Sequence, residues 1–148
     1  MDIKEMLQNK TEGVYHISPD ATVPACAEML TQRKVGALVV LAASGSLEGI
    51  ISERDIVHAA AEKPNEFQRL KVKDVMTPKG ELITATLQDV LASLMQRMTN
   101  EHIRHIPILD GGKVIGIVSI GDVVKRLLNA AEEENAHMKD YIYGRYSG

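Results

Sequence analysis

The sequence predicts an α/β (α+β) protein in which one β-α-β-β-α unit is used twice in tandem. Three observations predict it. A nine-residue phrase recurs as Gly49-Ile-Ile-Ser-Glu-Arg-Asp-Ile-Val57 and Gly116-Ile-Val-Ser-Ile-Gly-Asp-Val-Val124, identical at five of nine positions. A shift of 68 residues lays 14–40 over 82–108 and matches apolar positions: Val23, Ala27 and Leu30 fall on Leu91, Met95 and Met98, and Val35, Leu38 and Val40 on Ile103, Ile106 and Ile108. Within each copy the apolar spacing switches between strand-like and helix-like periods in the same order. Across 14–40 only Thr31/Thr99 is identical. Similarity is thus patterned over the unit and literal at the phrase, as expected if the phrase carries chemistry and the rest packs.

Each unit opens with a short extended stretch, Val14–Ile17 or Leu82–Ala85. In the first, Ser18-Pro-Asp-Ala-Thr22 supplies turn and N-cap residues for a helix. That helix carries Val23, Cys26, Ala27 and Leu30 at i, i+3, i+4, i+7, and its counterpart carries Leu91, Leu94, Met95 and Met98. A strand follows, Ala37–Ala42 or His105–Leu109, then a hairpin turn at Ser44-Gly45-Ser46 or Asp110-Gly111-Gly112. The second strand, Leu47–Ser52 or Lys113–Ser119, runs into the repeated phrase and a closing helix. Pro64 ends the first closing helix, since proline cannot continue it. Lys71–Met76 matches the pattern of Asp2–Leu7, so each unit begins with a short helical lead-in. Unit one spans 1–66, unit two 67–128, and a helical tail 129–148. Leu127, Leu128, Ala131 and Met138 can line one stripe of the tail, which ends in Tyr141-Ile-Tyr143; such a helix either packs on its own unit or meets a second subunit, and its length favours the second.

Composition excludes several classes. Apolar residues make up 45% of the chain but aromatic ones only 3%, so the core is aliphatic. No apolar run reaches the roughly 18 residues that a membrane span needs. Charges sit where a signal peptide would be apolar, and the lone Cys26 suits a reducing compartment, so the cytoplasm is the expected location. A net charge of −3, scattered Lys and Arg, no Trp and a single Phe argue against nucleic-acid binding. His102 and His105 are three apart without a nearby acidic pair, a poor metal site. No nucleophile–base–orienter set stands out, so the chain is not expected to be an enzyme.

The β-α-β-β-α order and the duplicated Gly-x-x-Ser-x-x-Asp corner resemble a pair of CBS domains, named for cystathionine β-synthase. Val75-Met-Thr-Pro78, Arg104-His-Ile-Pro-Ile108 and Ser119-Ile-Gly-Asp122 strengthen the likeness, which runs from about Ile3 to Lys125. Ser52-Glu-Arg-Asp55 and Asp140-Tyr-Ile142 resemble small bacterial proteins made of one such pair. The resemblance implies two units packed through their sheets with pseudo-twofold symmetry. It also implies two clefts that take adenosine-type ligands (AMP, ATP, NAD(H) or S-adenosylmethionine), dimerisation into a disk, and a regulatory role relayed to an effector protein that the sequence does not name.

On that reading Asp55 and Asp122 accept hydrogen bonds from ribose hydroxyls, since a carboxylate offers two oxygens to a vicinal diol. Ser52 and Ser119, with free amides at the helix starts, would hold phosphate. The competing reading is structural: Ser-x-x-Asp is also the pattern of a capping box, in which serine and acid satisfy each other's backbone amides. Arg104 and His105 could clamp phosphates, Arg in a bidentate manner. Unit one has Gly36-Ala37 in their place, and unit two has Gly121 where unit one has Arg54, so the two clefts are chemically unequal. The resemblance puts Thr84 and His16 near the adenine and makes Ile106 and Pro107 an apolar wall for it.

Overall fold

A computed structural model describes residues 3–8 and 14–146, with side chains through Met138. Two sheets carry the fold. The first has the order β1-β2-β3-β4, from His16–Ile17, Ala37–Leu41, Leu47–Ser52 and Thr77–Pro78. The second has the order β5-β6-β7, from Ala85–Thr86, His105–Asp110 and Lys113–Ser119. Helices α1 (Ile3–Gln8), α2 (Val23–Arg33), α3 (Glu53–Glu62), α4 (Val72–Val75), α5 (Leu91–Glu101) and α6 (Ile120–Tyr146) complete it.

The repeat expected from sequence recurs in the strand pairing and in the helix ends. In each unit a parallel pair precedes an antiparallel hairpin: Ile17 pairs with Val40 and Ala85 with Ile108. Both hairpins carry a register irregularity at matching places, Val40/Leu41 and Ile108/Leu109. Helices α2 and α5 both end in a left-handed residue, Lys34 at φ 56° and His102 at φ 55°. Behind each, a backbone amide closes the turn, Val35 onto Leu30 O and Ile103 onto Met98 O. The extended openings are two residues each: His16–Ile17 lies within the expected Val14–Ile17, whereas Ala85–Thr86 shares only Ala85 with the expected Leu82–Ala85. Met95 was placed on the buried stripe of α5 and is instead 38% exposed; Leu94 and Met98 alone are buried there, with Leu91 partly so.

The lead-ins cross between units. The first precedes unit one in sequence, yet Ile3 and Met6 of α1 lie in the core built by Ala85, Leu94, Met98, Ile106, Ile108, Val118 and Val123. The second precedes unit two, yet Val72 is buried in the core of unit one with Ile17, Cys26, Leu38, Val40 and Ile51, and Val75 and Met76 pack against it. Strand β4 then joins the sheet of unit one, pairing with β3. This reciprocal exchange, which the pattern match alone does not reveal, ties the halves into one body and fits pseudo-twofold packing.

Candidate functional site: the cleft between the units

Both repeated corners fold the same way. Strand β3 ends at Ser52, which N-caps α3; Ser52 N–H donates to Asp55 Oδ2 at 2.8 Å, and Asp55 N–H donates to Ser52 Oγ at 3.4 Å. Strand β7 ends at Ser119, whose N–H donates to Asp122 Oδ2 at 2.8 Å, while Asp122 N–H donates to Ser119 Oγ at 3.1 Å. Each is a complete capping box. The next amide is also used: Glu53 N–H bonds Gly36 O at 3.0 Å and Ile120 N–H bonds Arg104 O at 2.8 Å. Of the helix-start amides expected to hold phosphate, those of Ser52, Glu53 and Asp55 and those of Ser119, Ile120 and Asp122 are thus already taken by strand and cap. A carboxylate has about four lone-pair sites. The described bonds to Asp55 all fall on Oδ2, including one from Ser52 Oγ at 3.1 Å, so its Oδ1 retains acceptor capacity.

The glycines of the repeated phrase have a packing cause. A Cβ on Gly49 would strike the carbonyl oxygen of Thr77 and lie 2.9 Å from Met76 Sδ. One on Gly116 would lie 2.5 Å from Leu7 Cδ2. In each case the lead-in of the other unit crosses the strand there. Part of the literal identity at the corners thus records the exchange of lead-ins, not ligand chemistry.

A cavity of about 620 Å³ opens between the units beside the first corner. Unit one contributes Ser52, Glu53, Arg54 and Asp55, with Gly36, Ile50, Val57 and His58; unit two contributes Glu101 to His105; Thr77 and Glu81 to Ile83 close the side. The size is within the range of pockets that enclose a ligand of nucleoside dimensions. Two arginines and three histidines face four carboxylates around it, so it can meet an anionic group and a hydroxyl-rich one together. Ile50, Val57, Ile83 and Ile103 supply apolar surface. Arg54 Nη1 donates across the cleft to His102 O at 3.2 Å. The ring of His105 lies against Gly36, where an added Cβ would sit 3.2 Å from Nε2. His105 is also paired with Ser119 across the second sheet, so it stands between the two corners.

Of the residues singled out from sequence, Ser52, Arg54, Asp55, Arg104 and His105 line this cavity, and Thr84, Ile106, Pro107, Ser119 and Asp122 do not. Thr84 is half-buried and its carbonyl accepts from Arg97 Nη1 at 3.0 Å. Ile106 is fully buried in the core of unit two, and Pro107 is buried beside it. His16 is exposed, with Nδ1 3.5 Å from Val14 O. Sequence reasoning missed His58, Thr77, Glu81 and Glu101 as cleft residues. His102 had a usable signal, since it aligns with Lys34 as a left-handed helix end beside the lining strand. The side chains of Asp140 to Tyr143 lie outside the described residues, as does Asp2.

Behind the corner, Cys26 is fully buried, and its thiol is pushed up to about 11, first by burial and then by the charge of Asp55. Asp55 thus sits between the cleft and the core of unit one. Among the described residues no group of three or more His, Cys, Asp and Glu is arranged to hold a metal, and no helix is long and apolar enough to cross a membrane.

Comparison with known proteins points to one family. The family model described as CBS domain matches twice, over residues 3–62 and 72–129. A mitochondrial CBS domain-containing protein of Arabidopsis thaliana is 40% identical over 129 residues, covering 86% of this chain and 63% of that protein. This chain therefore spans under two thirds of that relative's length. The crystal structure of a CBS-domain containing protein from Agrobacterium tumefaciens is 34% identical, with a TM-score of 0.80 and coverage of 85% of this chain and 98% of that one. Two more distant structures share the fold with bound ligands. The CBS domain pair of protein MJ0100, in complex with 5′-methylthioadenosine and S-adenosyl-L-methionine, is 23% identical with a TM-score of 0.75, covering 88% of this chain and 98% of that one. A CBS domain protein from Pyrobaculum aerophilum, complexed with AMP, is 22% identical with a TM-score of 0.72, covering 82% and 89%.

Proposed function

The chain belongs to the CBS-domain family as a tandem pair, and from that premise we propose that it is a non-catalytic regulatory module whose inter-unit cleft binds an adenosine-type ligand: AMP, ATP, NAD(H) or S-adenosylmethionine. One observation carries the reading. The cavity gathers the Ser-x-x-Asp corner of unit one with Arg104 and His105 of unit two, so a sugar acceptor and a cationic clamp face one space. In this reading Asp55 keeps Oδ2 in the cap and offers Oδ1 to the ribose diol. Arg104 meets phosphate in a bidentate manner, His105 adds a second donor, and Arg54 exchanges its bond to His102 O for the ligand. Ile83 and Ile103 hold the base, with Thr84, Ile106 and Pro107 fixing them from behind. Ser119 and Asp122 belong to a second, weaker site, opposite Gly36-Ala37.

The ligands seen with MJ0100 and the Pyrobaculum protein support the adenosyl class and leave its member open. Ligand affinity that differs between two arrangements of the units would bias their equilibrium, which is how such a module signals to an effector protein. We read the module as a cytoplasmic homodimer. A second reading, a ligand-independent dimerisation or partner-recruiting module, is favoured by the completeness of both capping boxes. A thermal-shift panel of AMP, ATP, NAD(H) and S-adenosylmethionine separates the two. A ligand at about 100 times its dissociation constant stabilises the fold by roughly 2.7 kcal/mol. The first reading expects at least one compound to raise Tm by several degrees; a flat panel supports the second.

A further inference from the structure

Helix α6 is 27 residues long, about 40 Å at 1.5 Å per residue, and among its residues described through Met138 only the start is buried against the body. Val123 is fully buried and Arg126 half-buried, whereas every described residue from Leu127 to Met138 is exposed. At 100° per residue, Val124, Leu128, Ala131, Asn135 and Met138 fall within a sector of roughly 80°. Val124, Leu128 and Met138 on that sector are 44%, 59% and 58% exposed. The spacing 4, 3, 4, 3 is that of an a/d seam: Leu128 at a, Ala131 at d, Asn135 at a, Met138 at d, with Ile142 taking the next a position.

The seam itself says what covers it. A lone polar Asn at an a position of an otherwise apolar stripe is best satisfied by the same Asn across a twofold axis, and such a residue sets register and strand number. An antiparallel partner would set Asn135 against another residue and lose that match. Most of a helix's stability in a protein comes from packing its apolar face, and the described residues of this stripe from Leu128 to Met138 are exposed in the single chain. We propose that α6 pairs in parallel and in register with α6 of a second copy, as a short two-stranded coiled coil through Leu128, Ala131, Asn135 and Met138. This rests on the self-association read above and adds where and how the copies meet.

The test uses the full chain carrying Ala131→Cys, or Glu133→Cys on the opposite face as a collision control, oxidised with copper and dissolved oxygen at micromolar protein. Native Cys26 is fully buried and does not compete. Parallel pairing holds the two introduced thiols at an effective concentration near millimolar, so Ala131→Cys should form covalent dimer at least about tenfold faster than the control. Adding Leu128→Glu with Met138→Glu should abolish that advantage while sedimentation and circular dichroism show a folded body. Equal crosslinking of the two cysteine variants from a chain that sediments as a dimer overturns the α6 pairing alone. A monomeric parent chain overturns the pairing and the homodimer reading together.

Discussion

Gly49 and Gly116 stand at equivalent places, but what crosses them differs: a backbone carbonyl and Met76 at the first, a leucine side chain at the second. Gly49→Ala should therefore destabilise by about 1–3 kcal/mol, the usual range for overpacking, and Gly116→Ala by less, because Leu7 can rotate away; urea denaturation of the two variants checks the order. The repeated Gly, Ser and Asp were legible in sequence as a marked corner. Their separate causes were not, since the crossing chain lies far off in sequence and a cap and a sugar acceptor use the same atoms. At Cys26 the thiol ionises near 9 when unfolded and near 11 when folded. The unfolded chain gives up that proton first, so stability falls as pH rises from about 9 to 11 and this group contributes no slope below 9. Against a Cys26→Ala variant the wild-type urea midpoint should fall more steeply across that window. A parallel pair of curves would contradict the burial argument.

The lead-in helices show where pattern reading stops at the scale of elements. Their matching sequences, Lys71–Met76 and Asp2–Leu7, were visible, but adjacency in the chain assigned each to the unit it precedes. Packing sends α1 to unit two and α4 to unit one. Ile3 is fully buried in the second core. Ile3→Ala should cost about 2–5 kcal/mol, as for other buried large-to-small changes. Native-state hydrogen exchange should place the loss in β6 and β7, with β2 and β3 largely spared; loosening confined to β2 and β3 would contradict the exchange. The hairpins, both closing helices and the α2 stripe followed from periodicity and turn residues. Met95 did not, because helical spacing alone does not say how wide the buried sector is.

For the molecule as a whole, the tandem architecture was readable because duplication gives every weak local signal a second witness. The cleft was only half readable: five of its residues were named from sequence, while Thr77, Glu81 and Glu101 enter through the way the units face each other. That facing makes the clefts unequal, with Arg104 and His105 turned to the first corner and Gly36-Ala37 their counterparts in unit one. A phosphorylated ligand should thus titrate one site well before any second. The central claim is that Asp55 serves the ligand as well as the cap, and Asp55→Asn separates these roles, because the amide carbonyl still accepts from Ser52 N–H. Calorimetric titration of the wild type and this variant with the compound that stabilises best is the direct measurement. The account predicts a melting temperature without ligand lowered by no more than a few degrees, from the charge lost at the helix N-terminus, and an affinity loss of about tenfold or more, in line with a charge-assisted hydrogen bond; equal affinity in a folded Asp55→Asn protein would contradict it.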